Sequence, residues 1–275
     1  MAGTLDESIA AAAPFDTIAA AYDIMFTESA IGRAQRGAVW SEMARAFRPG
    51  QRVLEINCGT GIDAIHMARR GIHVEACDSA SRMIALAQRR AAAEFLPIQF
   101  RCLAIEKIDE LASTTLYDGV LSNFSGLNCV ADLHAVSATL SRLVKPGGRV
   151  VLCVFGTLCL WEVVWYLSAG NLSKAFRRFR RSGTESVLGP SATVTVHYRT
   201  VNSLRKLFAP RFRLERRRGV GILVPPSYAA SVSSRFPRLL RLAVQVDRLF
   251  CRCPLVRSLA DHTVLTFERI EGGSS

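Results

Sequence analysis

The cysteines of this 275-residue chain never fall into the CxxC pairs of a zinc site. Cys251-x-Cys253 alone does not make a metal centre. The eight cysteines lie mostly inside apolar runs and read as buried, reduced thiols, with no disulfide framework expected. The first residues lack the basic start and apolar core of a secretory signal, so none is expected. Low-complexity tracts and internal repeats are absent too, and with 49% apolar residues the chain reads as globular rather than disordered. The most apolar stretch, residues 149–169, is interrupted by Gly156 and Glu162 and begins as a sheet strand, which argues against a transmembrane helix. A cytoplasmic protein is expected. Residues 158–181, an aromatic stretch ending in Arg177-Arg-Phe-Arg-Arg181, admit an interfacial helix and peripheral contact with a membrane surface.

Acidic residues are scarce in one part only. Residues 171–275 hold 20 Lys and Arg against 6 Asp and Glu, a net of +14, whereas residues 1–170 hold 15 against 17, a net of −2. Such asymmetry fits a face that meets an anionic substrate, a membrane or a nucleic acid; a solvated arginine-rich surface fits equally.

Residues 1–13 read as a flexible N-terminus and 14–275 as a single domain. Residues 14–47 read as helical up to the Pro49-Gly50 stop. Strand-like runs at 52–56, 73–77, 98–102, 117–123 and 148–155 then alternate with helical runs at 62–70, 80–94, 106–112 and 131–144. This alternation predicts an α/β fold with a doubly wound, mostly parallel sheet. Past residue 155 the rhythm changes: strand-like 193–199, a short helix at 201–208, strand-like 212–224, an arginine-studded helix at 236–250 and a last strand at 262–270.

The chemistry concentrates in Val53-Leu-Glu-Ile-Asn-Cys-Gly-Thr-Gly61 and in Asp78 at the tip of the second strand. Gly59 and Gly61 permit a tight turn and close backbone approach to a cofactor. A Walker lysine is missing, which argues against a triphosphate cradle. Asp78 is placed to accept hydrogen bonds from a ribose diol, as in both nicotinamide- and S-adenosylmethionine-binding sites. Glu55 would repel a pyrophosphate and suits a cofactor with an amino-acid tail and a sulfonium cation; a carboxylate capping local amides is the plainer alternative.

On these residues the chain resembles the class I S-adenosylmethionine-dependent methyltransferases, small-molecule type. Glu55-x-Asn57-x-Gly59-x-Gly61 looks like their first motif, and Asp78 like their ribose-binding acid. Tyr117-Asp118-Gly-Val-Leu-Ser-Asn123-Phe124 looks like the segment beside the transferred methyl. Leu143-Val-Lys-Pro-Gly-Gly148 looks like the turn before the fifth strand, and Tyr22-Asp23 like the pair in the N-terminal helix of the small-molecule group. Asn57 departs from the usual glycine but tolerates positive φ. The resemblance covers roughly residues 14–155. It implies a seven-stranded Rossmann-like sheet with an antiparallel last strand, a helical cap, and S-adenosyl-L-methionine as cofactor with S-adenosyl-L-homocysteine as product. It also implies adenine contacts from the backbone of Ala104 and Ile105, a cofactor contact from Tyr22, a methyl-proximal position for Asn123 and Phe124, and no metal.

Two insertions, about 156–199 and 225–260, leave the sheet at the cofactor's edge and are expected to converge as a lid carrying the excess positive charge. An anionic or lipid-like acceptor follows as an expectation. His197 leads the candidates for a general base, ahead of Tyr198, His262 and Glu162. Packing is the commoner fate of a lone strand histidine, and a salt bridge that of Glu162. Trp161, Trp165 and Tyr166 read as a packing face. The alternatives are an RNA or protein methyltransferase using the basic half, and a non-catalytic membrane-surface or partner-binding protein. The lack of an RNA module argues against RNA. Methylation of DNA bases is disfavoured because no Asn/Asp-Pro-Pro-Tyr follows the fourth strand.

Overall fold

Apolar runs bounded by glycine-bearing turns become the strands β1 (Arg52–Ile56), β2 (His73–Asp78), β3 (Gln99–Cys102), β4 (Tyr117–Ser122) and β5 (Val144–Phe155). Strands β6 (Thr184–Gly189) and β7 (Ala192–Val196) form a separate antiparallel pair. The sheet is completed by β8 (Phe212–Val220) and β9 (His262–Arg269). Its order is β3-β2-β1-β4-β5-β9-β8, with β9 antiparallel to both neighbours. The computed structural model describes residues 13–111, 116–180, 182–189, 192–229 and 235–271. The flexible start expected at 1–13 lies outside them, apart from Ala13, which opens α1 (Ala13–Tyr22).

Helices α2 (Ala30–Ala46), α3 (Ile62–Ala68) and α4 (Ser81–Ala93) cover one face of the sheet; α5 (His134–Leu143) and α8 (Val201–Phe208) cover the other. The period-2 alternation of β5 serves both layers. Val150, Leu152 and Val154 pack with Leu140 and Phe208, while Val151 and Cys153 pack with Val39, Met43 and Met67. Each such apolar side chain stabilises the fold by about 1.5–3 kcal/mol on burial.

The helix expected across 14–47 is broken. A wide turn at Asp23–Thr27 separates α1 from α2, and Ser29 starts α2 afresh, its hydroxyl accepting from the Gly32 N–H at 2.9 Å. The break follows from close packing: a Cβ on Gly32 would stand 1.8 Å from the Phe26 carbonyl oxygen. Asp23 is turned inward instead, accepting from Thr60 (2.8 Å) and pairing with Arg90 (2.7 Å). Lys145-Pro-Gly-Gly148 is an irregularity within the β4–β5 ladder, which pairs Tyr117 with Val144 and Gly119 with Arg149.

The first insertion holds α6 (Leu160–Ser168), α7 (Leu172–Ala175) and the β6–β7 hairpin, so the cap is part helix and part hairpin. Buried charges tie it to the sheet. Glu162 of α6 pairs with Arg177 (2.5 Å) and Arg178 (2.7 Å), and Arg178 also pairs with Asp261 at the start of β9 (2.7 Å). Arg178 further donates to the carbonyls of Gly156 and Asp261. This network is the salt-bridge fate foreseen for Glu162. Residues 149–169 divide between the end of β5 and α6. No helix among the described residues is long and apolar enough to cross a membrane.

The two motif glycines both hold positive φ, +53 at Gly59 and +76 at Gly61, but in different surroundings. A Cβ on Gly61 would lie 2.7 Å from Ala87 Cβ, whereas one on Gly59 meets nothing within 4 Å. Gly59→Ala is expected to cost about 1–2 kcal/mol, the left-handed penalty alone. Gly61→Ala adds overpacking and is expected to cost about 2–4 kcal/mol in urea denaturation. Equal losses for the two variants would contradict this packing.

Candidate active site

The strand order reverses between β1 and β4, and the pocket opens there, beyond the carboxyl ends of the strands. After Ile56 the chain turns through Asn57 (φ 58), Gly59 and Gly61 into α3. The Cys58 N–H donates to the Cys77 carbonyl (3.0 Å), fastening the turn to the end of β2. Asp78 accepts from the N–H groups of Gly59 (2.8 Å) and Ala80 (2.9 Å). Each carboxylate oxygen thus keeps lone-pair capacity for a further donor. Burial raises the Asp78 carboxyl above its usual value, and these bonds oppose the rise. Asn57 Oδ1 accepts from the Ser122 hydroxyl (3.2 Å), and its side chain lies against Gly126, where an added Cβ would be 2.4 Å from Asn57 Cβ.

The pocket encloses about 800 Å³. Tyr22, Asn57, Gly59 and Asp78 line it, as do Ala104 and Ile105 on the β3 side and Asn123, Phe124 and His197 on the β4–β5 side. Glu55 and Gly61 do not. Gly61 acts through the turn it permits.

Glu55 departs from its expected place against a cofactor. Leu54 and Ile56 join the core that includes α5 and α8, so the alternation of β1 turns Glu55 to the other layer, beneath the start of α3. There it is 1% exposed, its carboxyl accepts from the Ala64 backbone, and Oε2 has no partner. Burial pushes its carboxyl well above the usual range; Asp63 and Asp78 reinforce this and Arg36 opposes it. The plainer reading, local amide capping, describes it better.

The carboxylate on the pocket wall is Asp63, in the first turn of α3. It pairs with Arg36 of α2 at 2.5 Å and accepts from Trp40 Nε1 at 2.6 Å and Asn123 Nδ2 at 2.8 Å. Arg36 stacks over the Phe124 ring, 4.7 Å from its centroid. Burial works against the Arg36 charge, but Asp63 outweighs it and holds the guanidinium protonated. Phe124 (φ 44) and Ser125 (φ 68) both take left-handed backbone at the end of β4. Such strain persists only where the surroundings impose it. Sequence reading passed over Asp63 and Arg36; a helix-start acid within the glycine motif was the available signal.

Among the candidate bases, His197 and Tyr198 reach the pocket wall and His262 does not. Asn128 fixes the His197 backbone on both sides, accepting from its N–H and donating to its carbonyl, each at 2.7 Å. Burial and Arg199 lower the imidazole's pKa, so it is neutral at pH 7. Burial raises Tyr198 from its ordinary value, against the pull of Arg178 and Arg177. Tyr22 is likewise pushed up, by burial first, to about 12. Neither phenol is ionised at neutral pH. His262 is 5% exposed, stacked on Phe155 at 4.7 Å and edge-on to Phe124 at 5.7 Å, with Nδ1 3.3 Å from Asp261. It is a packed core histidine. Trp161 anchors α6 by donating to the Leu223 carbonyl (3.1 Å).

Among the described residues the lid comes from the first insertion: Leu188 and Val194 of the hairpin, and His197 just after it, wall the pocket, while no described residue of 225–260 does. Both connections leave the same sheet edge, where Phe155 and Val220 pair with His262. The second runs back along α2 through helix α9 (Pro237–Phe250), whose Asp247 accepts from the N–H groups of Ile222, Leu223 and Val224. Among the described residues the two insertions do not converge over the pocket. The expected positive charge over the pocket is corrected, because Arg177 and Arg178 face Glu162 and Asp261.

Residues 53–148 match the family model for a methyltransferase domain. The chain is 32% identical over 145 residues to a demethylmenaquinone methyltransferase from Clavibacter sepedonicus, covering 53% of this chain and 58% of that protein. It is 34% identical over 123 residues to a ubiquinone biosynthesis O-methyltransferase from Rhizobium etli, covering 45% and 48%. The matched stretch thus spans about half the length of these curated relatives. In fold it is similar to magnesium protoporphyrin IX methyltransferase from Synechocystis PCC 6803 with bound S-adenosylhomocysteine (TM-score 0.58, 15% identity, 96% of this chain and 100% of that one). It is also similar to an S-adenosylmethionine-dependent methyltransferase from Mesorhizobium loti (TM-score 0.55, 16% identity, 86% and 98%). With the sheet order and the glycine turn already agreeing, residues 53–148 carry a methyltransferase domain, in a chain whose fold is similar to that of S-adenosylmethionine-dependent methyltransferases.

Proposed function

We propose that this protein transfers a methyl group from S-adenosylmethionine to a small, largely apolar organic acceptor. The observation that carries this reading is one pocket with chemically unlike walls. The Gly59 backbone and the carboxylates of Asp78 and Asp63 line it around the glycine turn; Phe155 at the end of β5, Leu188 and Val194 of the hairpin, and the His197 imidazole line it from the cap side. The relatives named for demethylmenaquinone and ubiquinone biosynthesis support an aromatic, lipid-soluble acceptor.

The residues present fit the cofactor. The wall arginines Arg36, Arg177 and Arg178 are each held by carboxylates, a poor setting for a pyrophosphate and a suitable one for a phosphate-free cation. The open space beside Gly59 Cα admits close approach to the backbone. Asp78 would accept from the ribose hydroxyls, Asp63 would face the amino group, and Ala104 and Ile105 would flank the adenine. Tyr22, Asn57, Asn123 and Phe124 would enclose the methionine end. S-adenosylmethionine, when bound, supplies a methyl group already activated on sulfonium. The chain's task is then to align the acceptor and exclude water, with His197 taking the proton of an acceptor hydroxyl.

Calorimetric titration with S-adenosylhomocysteine tests the cofactor assignment. Asp78→Ala is expected to weaken binding at least about tenfold, the loss of charge-assisted hydrogen bonds. No binding to the wild type, or equal affinity in the variant, would overturn it.

The role of His197 is tested by pH. Its folded pKa lies below the ordinary histidine value, so the neutral, proton-accepting form persists at pH 7 and is lost only as pH falls through that lowered value. With a catechol or quinol acceptor, kcat/KM should be flat near neutrality and fall on the acid side. His197→Gln should abolish that acid limb and slow methylation by about 10²–10⁴-fold. An unaltered limb in the variant would show that another group is the base.

A further inference from the structure

Helix α9 buries none of its residues. Leu240, Ala243, Val244 and Asp247 make the half-buried side toward the body of the protein. A second side carries Leu239 (61% exposed), Leu242 (60%), Leu249 (77%) and Phe250 (49%) at helical spacing, with Val246 between them. The third side carries Arg238, Arg241, Gln245 and Arg248. Across residues 235–257 there are six arginines and one acid, a net of +5. A solvated surface helix would not keep such a stripe of large apolar side chains in water, since burying each is worth about 1.5–3 kcal/mol.

Behind the helix, between α2 and the end of β8, lies a cleft of about 450 Å³. Three of its arginines, together with Arg216 of β8, gather on the Glu42 carboxylate, which is 2% exposed. Arg45 (2.7 Å), Arg218 (3.1 Å) and Arg252 (3.3 Å) meet Oε1, and Arg216 stands 3.8 Å from Oε2. Four guanidinium groups thus share one carboxylate. Arg218 lines the cleft, its side chain is 8% exposed, and its Nε has no partner.

We propose that α9 docks on an anionic phospholipid surface, with its leucine stripe among the acyl chains and a lipid phosphate at the Arg218 cleft. An apolar stripe flanked by arginines is what a helix lying in that interface requires. A second copy of the chain would set two strongly basic faces against each other. Nucleic acid would satisfy the arginines and leave the leucines in water. The cleft and the cofactor pocket share α2 as a wall, with Gln35 lining the first and Arg36 the second. The cleft thus lies about one helix diameter from the pocket. The proposal does not depend on the identity of the methyl acceptor.

Co-sedimentation of the full chain with vesicles tests it, using phosphatidylcholine alone and phosphatidylcholine mixed equally with phosphatidylglycerol. Wild type is expected to bind the anionic vesicles at least about tenfold more tightly than the neutral ones. Leu242→Glu/Leu249→Glu should reduce that binding at least about tenfold, because both side chains leave the apolar boundary. Arg238→Glu/Arg241→Glu and Arg252→Glu should reduce the preference for anionic lipid. Unchanged S-adenosylhomocysteine titrations certify folding of each variant, so failure of docking is separable from failure of the cofactor assignment. The proposal is overturned by equal binding to both vesicle types, by no binding to either, or by variants that bind like wild type. Retention of inorganic phosphate or RNA without vesicle binding would overturn it as well, as would a soluble dimer that Leu242→Glu/Leu249→Glu dissociates.

Discussion

The position of α2 rests on the Asp63 carboxylate, and the arrangement of both cavities rests on α2. Taking Arg36 and Asp63 out of water costs several kcal/mol per ion, and their attraction offsets this only where the remaining hydrogen-bonding positions are filled. Trp40 and Asn123 fill them, one from the same helix and one from the end of β4. The pair therefore fixes the register of α2 against the sheet and the orientation of the Asn123 amide. It also sets the platform on which Phe124 lies over Arg36. Loss of Asp63 would strand a buried cation directly beside the glycine turn. The energetic weight of the site thus falls on a residue that also faces the pocket, so stability and ligand geometry are set by the same side chain.

The sheet was legible because its strands are continuous apolar runs between glycine-bearing turns. A buried parallel strand has few other ways to be written. Asp78 was legible because a carboxylate at a strand tip has little structural reason to be there. Glu55 was not, since its role depends on which layer the alternation of β1 addresses. That parity is set by the packing of Leu54 and Ile56, and no motif records it. Arg178 lay hidden inside a run of arginines; its partners Glu162 and Asp261 are 16 and 83 residues away. The break between α1 and α2 was invisible because the residues flanking it have ordinary helix propensity. Close contact of Gly32 with Phe26 decides it.

Charge counting identified the correct half of the chain and the wrong place within it. Arg177 and Arg178 of the first insertion are spent on the buried acids Glu162 and Asp261, where they hold the cap to β9. The excess lies around Glu42 and along α9, on the far side of α2 from the pocket. Net charge is a property of a segment, whereas field is a property of how many charges find partners, and the two diverge wherever a network is buried.

Asn57 and Gly126 occupy neighbouring turns from different strands and compete for the volume of a single methyl group. Their histories are consequently ordered. A side chain at 126 is sterically barred while asparagine stands at 57, whereas an exchange of Asn57 for glycine first removes the obstruction and relieves the positive φ. Only one sequence of steps between the two combinations avoids a disfavoured intermediate. Among descendants of this chain, the two positions should change together and in that direction.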